Sequence, residues 1–198
     1  MARTAWAWAV AIAWIVVIVP DASAAPGDYV FPLRVHLGPR ARANVAWMSS
    51  QIDLANDRFG PHRLRFVWQT TVTLPASMTR ISRRARTPRD LDVRAIDVFV
   101  PDEITGDAGD HAAVLGCTVV RLQRGTHRIY VEAEREGAVL AHELGHYFGL
   151  EHHGDRTNLM FPYELPTARE VTEAQGALVR RRAAGYALSL RPAPLAVP

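Results

Sequence analysis

Three histidines, one glutamate and one glycine lie within eleven residues, from His142 to His152, in the order H-E-x-x-H-x-x-G-x-x-H. His142 and His146 are four residues apart, so on a helix their imidazoles lie on one face and can reach the same ion. Neutral imidazole nitrogens suit Zn²⁺, and a catalytic zinc site combines three protein ligands with one open position. The spacing therefore predicts a zinc site carried by a helix.

The third ligand, His152, requires this helix to end, because a continuing helix would carry His152 away from the ion. Gly149 can adopt the positive φ that terminates a helix, which allows the chain to turn back. Glu143 follows the first ligand and is placed to accept a proton from water at the zinc and return it to a leaving amine. H-E-x-x-H alone also occurs on ordinary solvated helices, but the glycine and the third histidine favour a zinc hydrolase with Glu143 as the catalytic residue.

The segment HELGHYFGLEH resembles the signature of the metzincin zinc endopeptidases, and the NLMFP segment after it resembles their Met-turn. The resemblance implies that Met160 forms an apolar floor beneath the metal without binding it, although an ordinary core methionine would be equally buried. His153 and Tyr163 are weaker candidates for the rim or the substrate site. The match is specific at residue level only from His142 to Met160, and it leaves open a matrixin-like enzyme or a related bacterial secreted metzincin.

The same resemblance implies an α+β zincin domain, in which a twisted mixed sheet is combined with an early helix, the zinc-binding helix, the Met-turn and a C-terminal helix. It also implies an edge strand facing the cleft near residues 128–133, either CTVVRL or RIYVEA. Hydrophobic periodicity and turn residues agree with this order. They predict strands at residues 29–37, 64–74, 95–100, 117–122 and 128–133, a surface loop at 104–116, and helices at 44–59, 136–148 and 172–184. Pro32 indicates that the first strand is an edge strand or begins irregularly.

The first residues are typical of an export signal. An apolar run at residues 5–19 follows Arg3, and Ala22, Ser23 and Ala24 fit an A-x-A cleavage site. We expect a signal peptide at residues 1–24, a catalytic domain at 25–190 and a loose tail at 191–198, in a secreted or periplasmic protein. An uncleaved segment, which would tether the protein to a membrane, is the alternative.

Composition limits the remaining possibilities. The chain has 198 residues, 48% of them hydrophobic, which fits one folded domain. Cys117 is the only cysteine, so no intrachain disulfide can form, and a buried structural thiol is expected. All 23 basic residues are arginine, and their densest run, at residues 80–89, has no interleaved aromatics, which favours a solvated loop over a nucleic-acid site. Asp107 and Asp110 could bind calcium but more commonly cap turns, so calcium is unsupported.

Together these patterns predict a monomeric, secreted zinc metalloendopeptidase with one catalytic Zn²⁺ and a protein or peptide substrate. No nucleic-acid partner and no stable membrane insertion are expected once the signal peptide is removed. Three alternatives remain: a zinc-binding interaction protein that has this fold without catalysis, a membrane-tethered metalloprotease, and a hydrolase of small-molecule amides.

Overall fold

The structure, a computed structural model, describes residues 27–82, 95–105, 116–121, 126–163 and 167–189. The predicted signal peptide, the C-terminal tail, and Asp107 and Asp110 lie outside these ranges. No helix within the described ranges is long and apolar enough to span a membrane.

Two sheets organise the described part of the chain. Its strands are β1 (Tyr29–Leu37), β2 (Leu64–Thr73), β3 (Arg80–Ser82), β4 (Ile96–Val100), β5 (Glu103–Thr105), β6 (Gly116–Arg121) and β7 (Thr126–Val131). The main sheet has the order β2-β1-β4-β7-β6, and β3 and β5 form a small parallel pair. All neighbours in the main sheet are parallel except β6 and β7, which are antiparallel. The predicted mixed sheet is confirmed.

The strand order decides between the two candidate edge strands. Among the described strands, β6 lies at the edge of the main sheet, whereas β7 lies between β4 and β6. The expectation of an edge strand near residues 128–133 is therefore wrong in its placement, and the CTVVRL segment is the edge. β1 is also internal although it contains Pro32, but its register with β2 shifts between Leu33 and Arg34. The edge position that Pro32 indicates is therefore wrong, and the irregularity of β1 lies in its middle and not at its start.

Four α-helices accompany the sheets in the described residues: α1 (Pro39–Ala43), α2 (Val45–Phe59), α3 (Val139–Tyr147) and α4 (Glu173–Ser189). α2 begins where the sequence predicts, because the side chain of Asn44 accepts a hydrogen bond from the Trp47 N–H at 3.1 Å. Met48, Ile52 and Ala55 follow at helical spacing and are buried against the sheet core. The short helix α1 was not predicted.

The two faces of the main sheet are covered differently. Alternate residues of β1 (Phe31, Leu33 and Val35) are fully buried in the core that the sheet shares with α2, α3 and α4. The opposite face carries a smaller apolar cluster that contains Phe99 and Ile104. Two predictions change here. The arginine-rich loop begins with strand β3, and the predicted loop at 104–116 begins with the end of β5.

A buried ionic group lies on this second face. The Asp97 carboxylate is 2% exposed and accepts hydrogen bonds from Arg34 Nε at 2.6 Å, from Arg34 Nη2 at 2.9 Å and from His36 Nε2 at 2.7 Å. Burial alone would raise the pKa of Asp97, but the bonds from His36 and Arg34 outweigh burial and lower the pKa. The carboxylate therefore stays ionised and holds β1 to β4.

Candidate active site and metal centre

The helix that carries the histidine motif, α3, is fixed at its start by a side chain of α2. Gln51 is 2% exposed, donates from Nε2 to the Gly137 carbonyl at 2.8 Å and accepts at Oε1 from the Leu140 N–H at 3.2 Å. The first N–H groups of a helix have no partner within it, so Gln51 acts as a cap from 89 residues away. α3 begins at Val139, three residues later than predicted.

α3 ends at Tyr147, and the chain reverses at Gly149, as the spacing predicts. Gly149 has a φ of +86°, in the left-handed region that favours glycine. Its N–H donates to the His146 carbonyl, and the Leu150 N–H donates to the Gly145 carbonyl, both at 2.9 Å. The chain therefore reverses direction and brings His152 back beside the two helical histidines.

The three predicted ligands converge. Each of His142, His146 and His152 offers a ring nitrogen, and these nitrogens all lie within 4.8 Å of one another. The Nε2 atoms of His146 and His152 are 3.2 Å apart, close to the ~3.4 Å expected between two nitrogens bound tetrahedrally to one zinc at ~2.0–2.1 Å. A set of three neutral imidazoles fits zinc, and the exposure of His152 leaves the cluster open to solvent on one side.

Hydrogen bonds orient two of these rings. His142 Nδ1 lies 2.8 Å from the Leu159 carbonyl, and His146 Nδ1 lies 2.8 Å from the Leu150 carbonyl. A carbonyl oxygen can only accept, so Nδ1 carries the proton and Nε2 keeps a free lone pair for a metal. Burial lowers the pKa of His142 to about 4, and it also lowers the pKa of His146. Both rings are therefore neutral and ready to bind a metal at pH 7.

Met160 packs against the middle of α3. It is fully buried, and a Cβ atom placed at Gly145 would overlap the Met160 sulfur. Gly145 lies between the two helical ligands, so its missing side chain makes the space that the sulfur fills. Gly145 is not part of the histidine motif, but a glycine inside a helix costs about 1 kcal/mol relative to alanine, and this cost is a signal of a packing role.

A buried amide holds the backbone of the predicted Met-turn. Asn158 is 2% exposed and accepts from the Met160 N–H at 2.9 Å. Its side chain also pairs with the Gln175 amide, which donates back to Asn158 at 3.1 Å. Gln175 in turn completes a capping box at the start of α4, because it accepts from the Thr172 N–H at 2.9 Å and its own N–H donates to Thr172 Oγ1 at 3.2 Å. The same side chain therefore links the predicted Met-turn to the start of α4.

Glu143 lies on α3 next to the first histidine and is 4% exposed. Its carboxylate contacts the edge strand, where Thr118 Oγ1 lies 2.6 Å from Glu143 Oε2. No sequence pattern predicted this contact.

The weaker candidates lie outside the histidine cluster. His153 is exposed. Its ring Nδ1 accepts from the Asp155 N–H, and its main-chain N–H donates to the Met160 carbonyl. Tyr163 is 72% exposed and contacts the ring of Phe161. Cys117 belongs to β6, but its side chain lies outside the described part, so its predicted burial stays a prediction.

Comparison with known proteins agrees with this geometry. Residues 124–175 match the family model of the matrixins, a family of peptidases. The fold matches a crystal structure of metalloproteinase-II from Bacteroides fragilis with a TM-score of 0.53, covering 81% of this chain. The identity is 11%, and the match spans 55% of that protein, so the likeness shows the fold alone. A search of curated protein sequences finds no match. The chain therefore has the fold of that metalloproteinase, and the segment that contains its three-histidine cluster is similar to the matrixins.

Proposed function

We propose that this protein is an exported zinc endopeptidase with Glu143 as its general base. The observation that carries the proposal is the convergence of His142, His146 and His152 beside a buried carboxylate on the same helix. A purely structural zinc site has no use for a carboxylate next to an open coordination position. The matrixin match supports the metallopeptidase assignment, and endopeptidase specificity is our inference.

The chain's own residues divide the chemistry. The three histidines would hold one Zn²⁺, and the bound ion supplies the Lewis acidity that lowers the pKa of a water molecule. Glu143 would accept a proton from the attacking water and deliver it to the departing amine nitrogen. No side-chain nucleophile is needed, so the reaction forms no covalent enzyme intermediate.

The edge strand supplies a binding surface for the substrate main chain. β6 has a sheet neighbour on one side only among the described strands, and it packs against α3. An extended peptide can add to such an edge through main-chain hydrogen bonds. The expected substrate is therefore an unfolded or extended segment of a protein.

Export and the monomeric state are proposals from the sequence. Export with removal of the signal peptide predicts that the mature protein begins near Ala25, and N-terminal sequencing of the exported protein tests this. A chain that keeps residues 1–24 and sediments with membranes would support the tethered alternative.

The decisive experiment compares the parent protein with Glu143→Gln and Glu143→Ala. Glutamine keeps the size of the side chain but cannot act as a base, so it separates catalysis from packing. We expect each protein to bind one zinc and only the parent to cleave casein efficiently, with a loss of at least ~10²-fold in both variants. If all three bind zinc and none cleaves, the non-catalytic interaction protein becomes the better interpretation.

A further inference from the structure

Thr118, on the edge strand β6, holds the carboxylate of Glu143. Its hydroxyl lies 2.6 Å from Glu143 Oε2 and 2.8 Å from the Glu143 main-chain oxygen. A hydroxyl has one proton to donate, and the charged carboxylate is the stronger acceptor. A separation of 2.6 Å falls in the range of charge-assisted O–H···O⁻ bonds. One side chain therefore contacts both the backbone and the carboxylate of the same residue.

Gly116, two residues before Thr118, lies on the same face of β6 and leaves space for this carboxylate. A Cβ atom placed at Gly116 would lie 2.6 Å from Glu143 Oε1, 2.9 Å from Cγ and 3.0 Å from Cδ. Glu143 is 4% exposed, so this contact is shielded from solvent. Any side chain at position 116 would therefore displace the carboxylate.

We propose that Thr118 and Gly116 are positioning residues that set the orientation of the general base from the substrate-binding edge strand. The proposal rests on the endopeptidase function proposed above. The hydrogen bond from Thr118 to Oε2 restricts the directions in which the carboxylate can face. Glu143 would otherwise sample several rotamers, and misplacing a catalytic group by about 1 Å can cost ~10²-fold in rate.

This arrangement also couples binding to catalysis. The strand to which the substrate main chain would add is the strand that holds the base. The distance between a substrate bound on β6 and the carboxylate is then fixed by one strand and one hydrogen bond. Neither residue belongs to the histidine motif, and both precede it by more than twenty positions.

The test uses Thr118→Val, which keeps the shape of the side chain and removes the hydroxyl, with Thr118→Ser as the matched control. For Thr118→Val we expect a ~10-fold fall in kcat, within the 10–100-fold range for removal of a supporting hydrogen bond, with KM and zinc affinity close to the parent values. Thr118→Ser should restore most of kcat. Gly116→Ala should lose at least as much as Thr118→Val, because it displaces the carboxylate directly.

A double-variant comparison separates positioning from a general structural role. If Thr118 acts only through Glu143, Thr118→Val should cause no further loss in a Glu143→Ala background. A zinc-loaded, folded Thr118→Val with the parent's kcat would overturn the proposal. An equal fold loss of kcat from Thr118→Val in the parent and in the Glu143→Ala background would also overturn it.

A structural readout keeps this inference separate from the proposed activity. Metal-free crystal structures of the parent, Thr118→Val and Thr118→Ser should show the Glu143 carboxylate displaced only in the valine variant. If the parent cleaves no peptide, the endopeptidase function fails, and these structures still decide whether Thr118 holds the carboxylate. An unmoved carboxylate in Thr118→Val would refute the positioning role.

Discussion

Replacement of Asn158 by alanine should damage both the stability of the fold and the zinc site. The Asn158 side chain joins two parts of the protein that are separate in sequence, the Met-turn and the start of α4. It bonds the Met160 N–H at 2.9 Å and exchanges two hydrogen bonds with Gln175, at 2.8 and 3.1 Å. The neighbouring Leu159 carbonyl orients His142, so a shift of this turn reaches the metal ligands.

The expected cost follows from these three bonds. Met160 is fully buried, so its stranded N–H should cost about 1–3 kcal/mol. Gln175 is half-buried and can bind water instead, so its two lost bonds should together cost about 1 kcal/mol. The sum of about 3 kcal/mol corresponds to a fall of roughly 6–12 °C in Tm for a domain of this size. Zinc affinity should fall by about 10–100-fold, as for other losses of ligand support.

Gln175→Glu provides the matched control. The glutamate can still accept from the Thr172 N–H and from the Asn158 amide, but it cannot donate back to Asn158. We expect a loss of about 1 kcal/mol with unchanged zinc affinity, because the Met160 N–H still donates to Asn158 Oδ1.

Both variants should be melted without metal, since bound zinc would raise Tm by mass action. Zinc affinity is then measured by competition with a chelator. The reasoning would be refuted if Asn158→Ala and Gln175→Glu lost zinc affinity equally.

Three further outcomes are expected. Asp97→Ala should destabilise the fold by about 3 kcal/mol in urea unfolding, because it removes the carboxylate that binds the part-buried Arg34 guanidinium and the buried His36 imidazole. The metal-free protein should lose stability as the pH falls from about 6.5 to about 4, because His142 has a folded pKa of about 4 and the unfolded chain binds its proton first; a Tm that stays constant across this window would contradict this. Gly149→Ala should cost about 1–3 kcal/mol and weaken zinc binding because of its φ of +86°, whereas Gly154→Ala, which meets no atom within 4 Å, should be nearly neutral in the same unfolding assay.

The sequence predicted the parts of the site that depend on local geometry. The spacing from His142 to His152 implies one helical turn, a reversal at Gly149 and a third ligand, and the structure places the three histidines together. Helix α2 was predicted to within one residue for the same reason, since Asn44 caps it and its apolar residues follow the helical period. Such features need only neighbours within about ten residues.

The missed features all depend on partners distant in sequence. Thr118 contacts Glu143 across 25 positions, and Gln51 contacts Leu140 across 89. Neither has a pattern of its own, because threonine is common in strands and glutamine in helices. The choice of β6 over β7 as the edge was equally hidden, since local propensity describes a strand but not its neighbours.

The remote contacts explain why the helix α3 exists at all. It has nine residues, fewer than the ~12–15 that an isolated helix needs to be even marginally stable in water. Gln51 caps its first turn, and the carbonyls of Leu159 and Leu150 bind the two histidine rings. Contacts with α2 and with the chain that follows α3 therefore hold this short helix and orient the two rings.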